Sequence, residues 1–104
     1  MLIVSSAAED WSHIYQHGKD IVSRNIVDET ILVPIRGNLA DMQNIFTLNP
    51  VGAFIWERLD GCRSLAFILE SLLEHFEVDR QQAEQDILEF ITLVSETGLI
   101  MQKH

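Results

Sequence analysis

The sequence predicts an α+β domain in which a three-stranded antiparallel sheet is followed by a three-helix bundle. β-branched residues dominate residues 21–48, whereas apolar residues recur with helical spacing from residue 50 onward. The 104 residues match the length of one domain, and a hydrophobic content of 47% is enough to build a core. The chain is therefore expected to fold without disulfides or structural metal ions.

The strands are predicted from apolar, β-branched runs that end at turn-forming residues. The first two runs flank Asp28 and Glu29 and are interpreted as a tight hairpin. Pro34 cannot donate to a ladder, so it is expected near a strand end or on an edge. The three predicted strands are residues 21–27, 30–35 and 42–48.

The helices are predicted from their N-terminal caps and their apolar spacing. Pro50 follows the first cap directly, at the one helical position where a missing amide costs nothing. Gly61 and Gly98 are interpreted as stops of the first and third helices. The predicted caps are Asn49, Ser64 and Asp79. The predicted core is Phe54, Ile55, Leu59, Leu69, Leu72, Phe76, Ile87, Phe90, Ile91 and Val94, with Trp56 left open between core and interface.

The first twenty residues are predicted as an N-terminal extension with a short helix that ends at Gly18. Trp11, Ile14 and Tyr15 would share one side of that helix. Together with the apolar residues 2–4 they predict a homodimer formed through this segment. The alternative is that the segment folds back over its own sheet.

The composition limits the partners of the chain. Seven basic and sixteen acidic residues give a net charge of −9, which opposes nucleic-acid binding and suits a basic protein partner. No apolar run approaches the roughly 20 residues that a membrane span needs, and the start resembles no signal peptide. A cytoplasmic protein without membrane or nucleic-acid partners is therefore expected.

No catalytic, cofactor or metal site is predicted. The single Cys62 excludes an internal disulfide and a cysteine-based zinc site within one chain. His13 and His17 have ligand-like spacing on a helix, but no third ligand with convincing spacing follows. Because a catalytic triad and a phosphate-binding loop are also missing from the pattern, the chain is predicted not to be an enzyme.

A DNA-binding regulator is the alternative function. The last two predicted helices are joined by three residues, EVD, and look like a helix-turn-helix that would present Gln81 and Gln85 to a groove. From Glu57 onward, however, ten acids face four bases. This half of the chain would meet phosphates with a net negative charge.

The third predicted strand favours a different partner. Its QNIFT segment contains neither Lys nor Pro, the residues that commonly protect an exposed strand edge. A peptide could therefore pair with it as an additional strand and lay its side chains against a neighbouring helix. Alternatively, the strand is internal or covered by the N-terminal segment.

Three ordered segments give the chain a family resemblance. FTLNPVGAFIWERLDG, then HFEVD, then AEQDILEFITLVSETGLI resemble the PqqD family, and the likeness spans roughly residues 21–101. The resemblance implies a winged helix-turn-helix that binds peptide, in a PqqD-like domain over residues 21–104. It also implies a chaperone that presents a ribosomally made precursor peptide to a modifying enzyme, such as a radical-SAM protein.

The peptide is expected between the third strand and the third helix. One flank of that helix offers Leu88 as an apolar floor, whereas the other offers Leu93. The Leu88 flank is chosen. The predicted peptide-binding residues are Gln43, Asn44, Ile45, Phe46 and Thr47 of the strand, and Gln81, Glu84, Leu88 and Thr92 of the helix.

Overall fold

A computed structural model of the protein describes residues 11–27, 29–36, 39–40 and 45–103. The predicted α+β class, with an antiparallel sheet and three helices, is confirmed. In chain order the elements are β1 (Ile14–His17), β2 (Ile21–Ile26), β3 (Glu29–Arg36), β4 (Leu39–Ala40), β5 (Phe46–Leu48), α1 (Pro50–Arg58), β6 (Asp60–Ser64), α2 (Leu65–His75), α3 (Arg80–Glu96) and β7 (Ile100–Lys103).

The first sheet is the predicted antiparallel one. One edge of β3 pairs with β2, and Ile21 lies opposite Pro34. The other edge of β3 pairs with β5 and with the short β4. In the described part of the chain the third strand covers Phe46–Leu48, which is shorter than predicted, and Ile45 precedes it. Residues 41–44 lie outside the described residues. Buried Leu32 and Leu48 join the sheet to the core beneath it.

All three helix caps are confirmed. The side chain of each cap accepts a hydrogen bond from the amide three residues further on, at 2.7 Å for Asn49, 3.2 Å for Ser64 and 2.8 Å for Asp79. Gly98 follows α3 with φ +78°, as a helix stop requires. Gly61 also has a positive φ, but it lies within β6, because α1 already ends at Arg58.

A second sheet corrects the prediction for the N-terminal segment. Residues 14–17 form a strand instead of a helix, and this strand lies between β6 and β7, antiparallel to both. The spacing of Trp11, Ile14 and Tyr15 fits a helix, but pairing with two distant strands outweighs that local pattern. β6 was not predicted, since its sequence DGCRS resembles an inter-helix turn.

The N-terminal segment packs on its own chain, which is the alternative to pairing with a second copy. The Leu65 amide donates to the carbonyl of His13, and the Ala66 amide donates to the carbonyl of Trp11. Trp11 and Tyr15 pack against the core. The apolar residues 2–4 lie outside the described residues, and the homodimer stays a prediction.

The core lies among the three helices and both sheets. Eight of the ten predicted core residues are buried, and Phe76 and Phe90 are half-buried against them. Trp56 is 3% exposed and therefore belongs to the core. None of the described helices is long and apolar enough to cross a membrane.

Candidate peptide-binding groove

A groove lies where the N-terminal half of α1 meets the middle of α3. It has a volume of about 260 Å³ and is open to solvent. The first residues of α1 form one wall, and one flank of α3 forms the other. The lining residues are Asn49, Val51, Gly52, Ile55, Asp86, Glu89, Phe90 and Leu93.

Gly52 brings three elements together at the floor of this groove. A Cβ atom at this position would lie 3.4 Å from Cε1 of Phe90, 3.6 Å from Cβ of Leu48 and 3.3 Å from Oδ1 of Asn49. The end of β5, the start of α1 and the middle of α3 therefore meet at one glycine. Because Asn49 both ends the strand and caps the helix, no linker residue separates the strand from the groove.

The groove combines apolar and acidic side chains. Leu93 is 48% exposed, and Val51 and Phe90 are half-buried. Asp86 accepts a hydrogen bond of 2.8 Å from the side-chain amide of Gln82, one turn earlier on α3. None of the lining residues is Lys or Arg.

The only basic residue of α3 is occupied elsewhere. The Arg80 guanidinium lies 2.7 Å from the Glu70 carboxylate of α2, which raises the pKa of Arg80 above its ordinary value. Arg80 also lies at the first position of α3 and does not line the groove. The acids along the groove thus have no neutralising cation from their own helix.

β5 has an edge available for pairing. One of its edges is bonded to β3, and no strand within the described ranges pairs with the other. Thr47 is exposed, whereas its neighbour Leu48 is buried. A main-chain edge therefore leads directly into the apolar groove, an arrangement suited to an extended peptide.

Comparisons with known proteins identify the family of the chain. Residues 29–100, well over half of the chain, match the family model described as coenzyme PQQ synthesis protein D (PqqD). The chain belongs to the PqqD family. A search of curated proteins finds no significant match.

Two solved structures resemble this PqqD-family fold, each with 25% sequence identity. The first is TbiB1 in complex with the TbiA(beta) leader peptide, with a TM-score of 0.67 over 82% of this chain and 93% of that chain. The second is lasso peptide synthetase B1 complexed with the leader peptide, with a TM-score of 0.68 over 84% of this chain and 96% of that chain. Both are similar in fold over nearly their full length.

The strand residues predicted for the site fall into two groups. Phe46 and Thr47 belong to β5, and Ile45 directly precedes it. Gln43 and Asn44 lie outside the described residues. The described part of the predicted strand therefore leads into the groove.

The helix residues predicted for the site lie beside the groove. A shallow surface on the outer face of α3 is lined by Leu88 and Thr92. This surface adjoins the groove, because Glu89 and Leu93 line the surface and the groove alike. Gln81 and Glu84 line neither. The contact of a peptide with the Leu88 flank stays a prediction.

One feature of the sequence could have indicated the groove. The predicted site residues do not include Val51, Gly52, Phe90 or Leu93, and Phe90 is predicted only as a core residue. A glycine inside an otherwise apolar helix lowers helix stability, so it often marks a close approach of another element. Gly52 is such a position.

His17, one of the two histidines with ligand-like spacing, is used in packing. His17 stacks on the ring of Trp56 with centroids 3.7 Å apart, and its Nε2 lies 2.7 Å from the Trp56 carbonyl oxygen. Among the described residues no group of three or more His, Cys, Asp or Glu side chains is arranged to hold a metal ion. Cys62 is exposed on β6, away from the groove.

Proposed function

We propose that this protein is a non-catalytic chaperone that binds the leader of a ribosomally made precursor peptide and presents it to a modifying enzyme. The observation that carries the proposal is the continuous path from the β5 edge into the groove beside Gly52. Membership of the PqqD family and the similarity to two leader-peptide complexes support it.

Binding divides into a main-chain part and a side-chain part. The leader adds as a strand along Phe46–Leu48, and Gln43 and Asn44 stay predicted contacts. Backbone hydrogen bonds along this edge provide affinity with little dependence on sequence. Apolar leader side chains then enter the groove against Leu93 and Phe90, which selects among peptides.

The modifying enzyme is a separate protein in this proposal. A radical-SAM maturase is one candidate, since the chain is similar to the PQQ-pathway chaperone family. The chaperone holds the leader, so the core of the precursor stays free for the enzyme. Both proteins act in the cytoplasm, where the precursor is made.

The DNA-binding alternative finds little support in the charges of α3. Glu84, Asp86, Glu89 and Glu96 all belong to this helix, and Arg80 is already paired with Glu70. A helix with this balance repels phosphate groups.

Calorimetry separates the two functions. The protein is titrated with the leader peptides of candidate precursors, and separately with duplex DNA, at 50 mM and 200 mM salt. The proposal expects saturable one-to-one binding of the leader at both salt concentrations and no binding of duplex. Binding of duplex that disappears steeply with salt, together with no binding of leader, would establish the regulator instead.

A further inference from the structure

We infer that the leader segment seated in the groove carries a lysine or arginine next to an apolar residue. The inference rests on the proposed function and specifies its substrate class. The juxtaposition that carries it is an exposed leucine, Leu93, beside two carboxylates, Asp86 and Glu89, in one solvent-open groove.

The two carboxylates lie on one face of α3 and have no cation from the described residues. Asp86 and Glu89 are three positions apart, so their side chains point the same way. Their hydrogen bonds are to neutral amides: Gln82 donates to Asp86 at 2.8 Å, and Gln85 donates to Glu89 at 3.1 Å.

The ion pairs among the described residues involve acidic side chains other than Asp86 and Glu89. They join Arg58 to Glu57, Arg63 to Asp60 and Arg80 to Glu70. Two like charges one helical turn apart repel each other, and a cation between them removes that repulsion. The groove therefore presents an unneutralised negative potential to whatever enters it.

The apolar part of the groove fits the stem of a basic side chain. Leu93 lies four residues after Glu89 and seven after Asp86, so it shares their helix face. Lys and Arg lay their methylene stems on apolar surface and keep the charged group in water. A stem against Leu93 and Phe90 would place the charged group beside the carboxylates, and an adjacent apolar residue would lie against Val51.

Selection from a random 12-residue display library tests the inference. The wild-type protein is compared with the double variant Asp86→Asn and Glu89→Gln, which keeps the shape of both side chains. The double variant Glu74→Gln and Glu77→Gln is the matched control, because it removes two exposed acids away from the groove.

The wild type and the control are expected to enrich peptides with Lys or Arg beside an apolar residue, and the groove variant is expected to lose only the basic preference. A synthetic copy of an enriched peptide should bind the groove variant roughly 2- to 30-fold more weakly at low salt, the range for two exposed ion pairs. That difference should shrink at 1 M salt, where charges are screened beyond about 3 Å.

The outcomes that overturn the inference are distinct from those that overturn the proposed function. If all three proteins enrich apolar peptides that pair with β5 but show no basic preference, the inference fails and the proposed function stands. If no peptide is enriched by any of them, or the enriched peptides bind away from β5 and the groove, both fail.

Discussion

Cε1 of Phe90 packs against the backbone of Gly52. An added Cβ at Gly52 would lie 3.4 Å from Cε1 of that ring, and the same glycine donates its amide to the Asn49 cap at 2.7 Å. A side chain at position 52 would therefore crowd Phe90 and the Asn49 cap. Gly52 and Phe90 both line the groove.

Gly52→Leu should close the groove. The new side chain would extend from the floor between Val51 and Phe90, so leader affinity should fall at least tenfold. Thermal unfolding should also show a loss of stability, because the side chain crowds Phe90 and Leu48, and the gain in helix propensity over glycine, below about 1 kcal/mol, offsets only part of that strain. Calorimetry and a melting curve measure the two effects.

Ala66→Leu is the control for that change. It adds the same side chain at an exposed position in the first turn of α2, away from the groove. Its leader affinity should equal that of the wild type. An equal loss of affinity in both variants would mean that the groove is not the binding site.

Leu93→Asp and Leu88→Asp distinguish the two surfaces of α3. Leu93 is 48% exposed and lines the groove, so its replacement should leave the fold intact and lower leader affinity about 10- to 100-fold, because an apolar contact is lost and a charge must be desolvated. Leu88 lines only the adjoining shallow surface. A larger loss of affinity for Leu88→Asp at equal stability would show that the peptide binds that outer surface.

Thr47→Pro tests strand addition at β5. Amides of successive residues in a strand point to opposite edges, so the Thr47 amide faces either the peptide or β3. If it faces the peptide, proline should cost about 1 kcal/mol of binding, roughly fivefold, with little change in stability. Thr47→Ala is the control and should change neither quantity much, since Thr47 is exposed. A variant that keeps both its affinity and its melting temperature would argue against pairing along this strand.

Asn49→Ala should reveal how much of the site depends on the strand–helix junction. Loss of an N-cap costs about 1 kcal/mol of unfolding free energy, which lowers Tm by roughly 4–8 °C in a domain of this size. Asp79→Ala removes the cap of α3, outside the groove, and should lower Tm similarly. Leader affinity should fall only for Asn49→Ala. Equal affinities in the two variants would show that Asn49 acts on the fold alone.

Removal of residues 1–17 should lower the melting temperature. β1 lies between β6 and β7, and the deletion exposes an edge of each and removes the His17 ring from Trp56. If the segment instead serves only to join two copies, the truncated protein would keep its melting temperature at low concentration. Sedimentation of the full chain would then show a dimer that the truncation abolishes.

The features that follow from local chemistry were predictable. Asn49 and Asp79 cap their helices because a side-chain acceptor next to an unpaired amide is a property of a few neighbouring residues. β1 and β6 were not predictable in the same way, since each is a short polar or mixed segment that becomes a strand only through partners far along the chain. The helix period likewise identified both flanks of α3 but could not decide which one adjoins Gly52, because that depends on the contact between α1 and α3.

The most direct test of the account is a titration of ¹⁵N-labelled protein with its leader peptide, read by amide chemical shifts. The account predicts that the largest changes fall on Phe46–Leu48, on Val51 and Gly52, and on α3 from Asp86 to Leu93. Changes that cluster on β1, on α2 or on the outer edge of β2, and spare β5 and the groove, would contradict it.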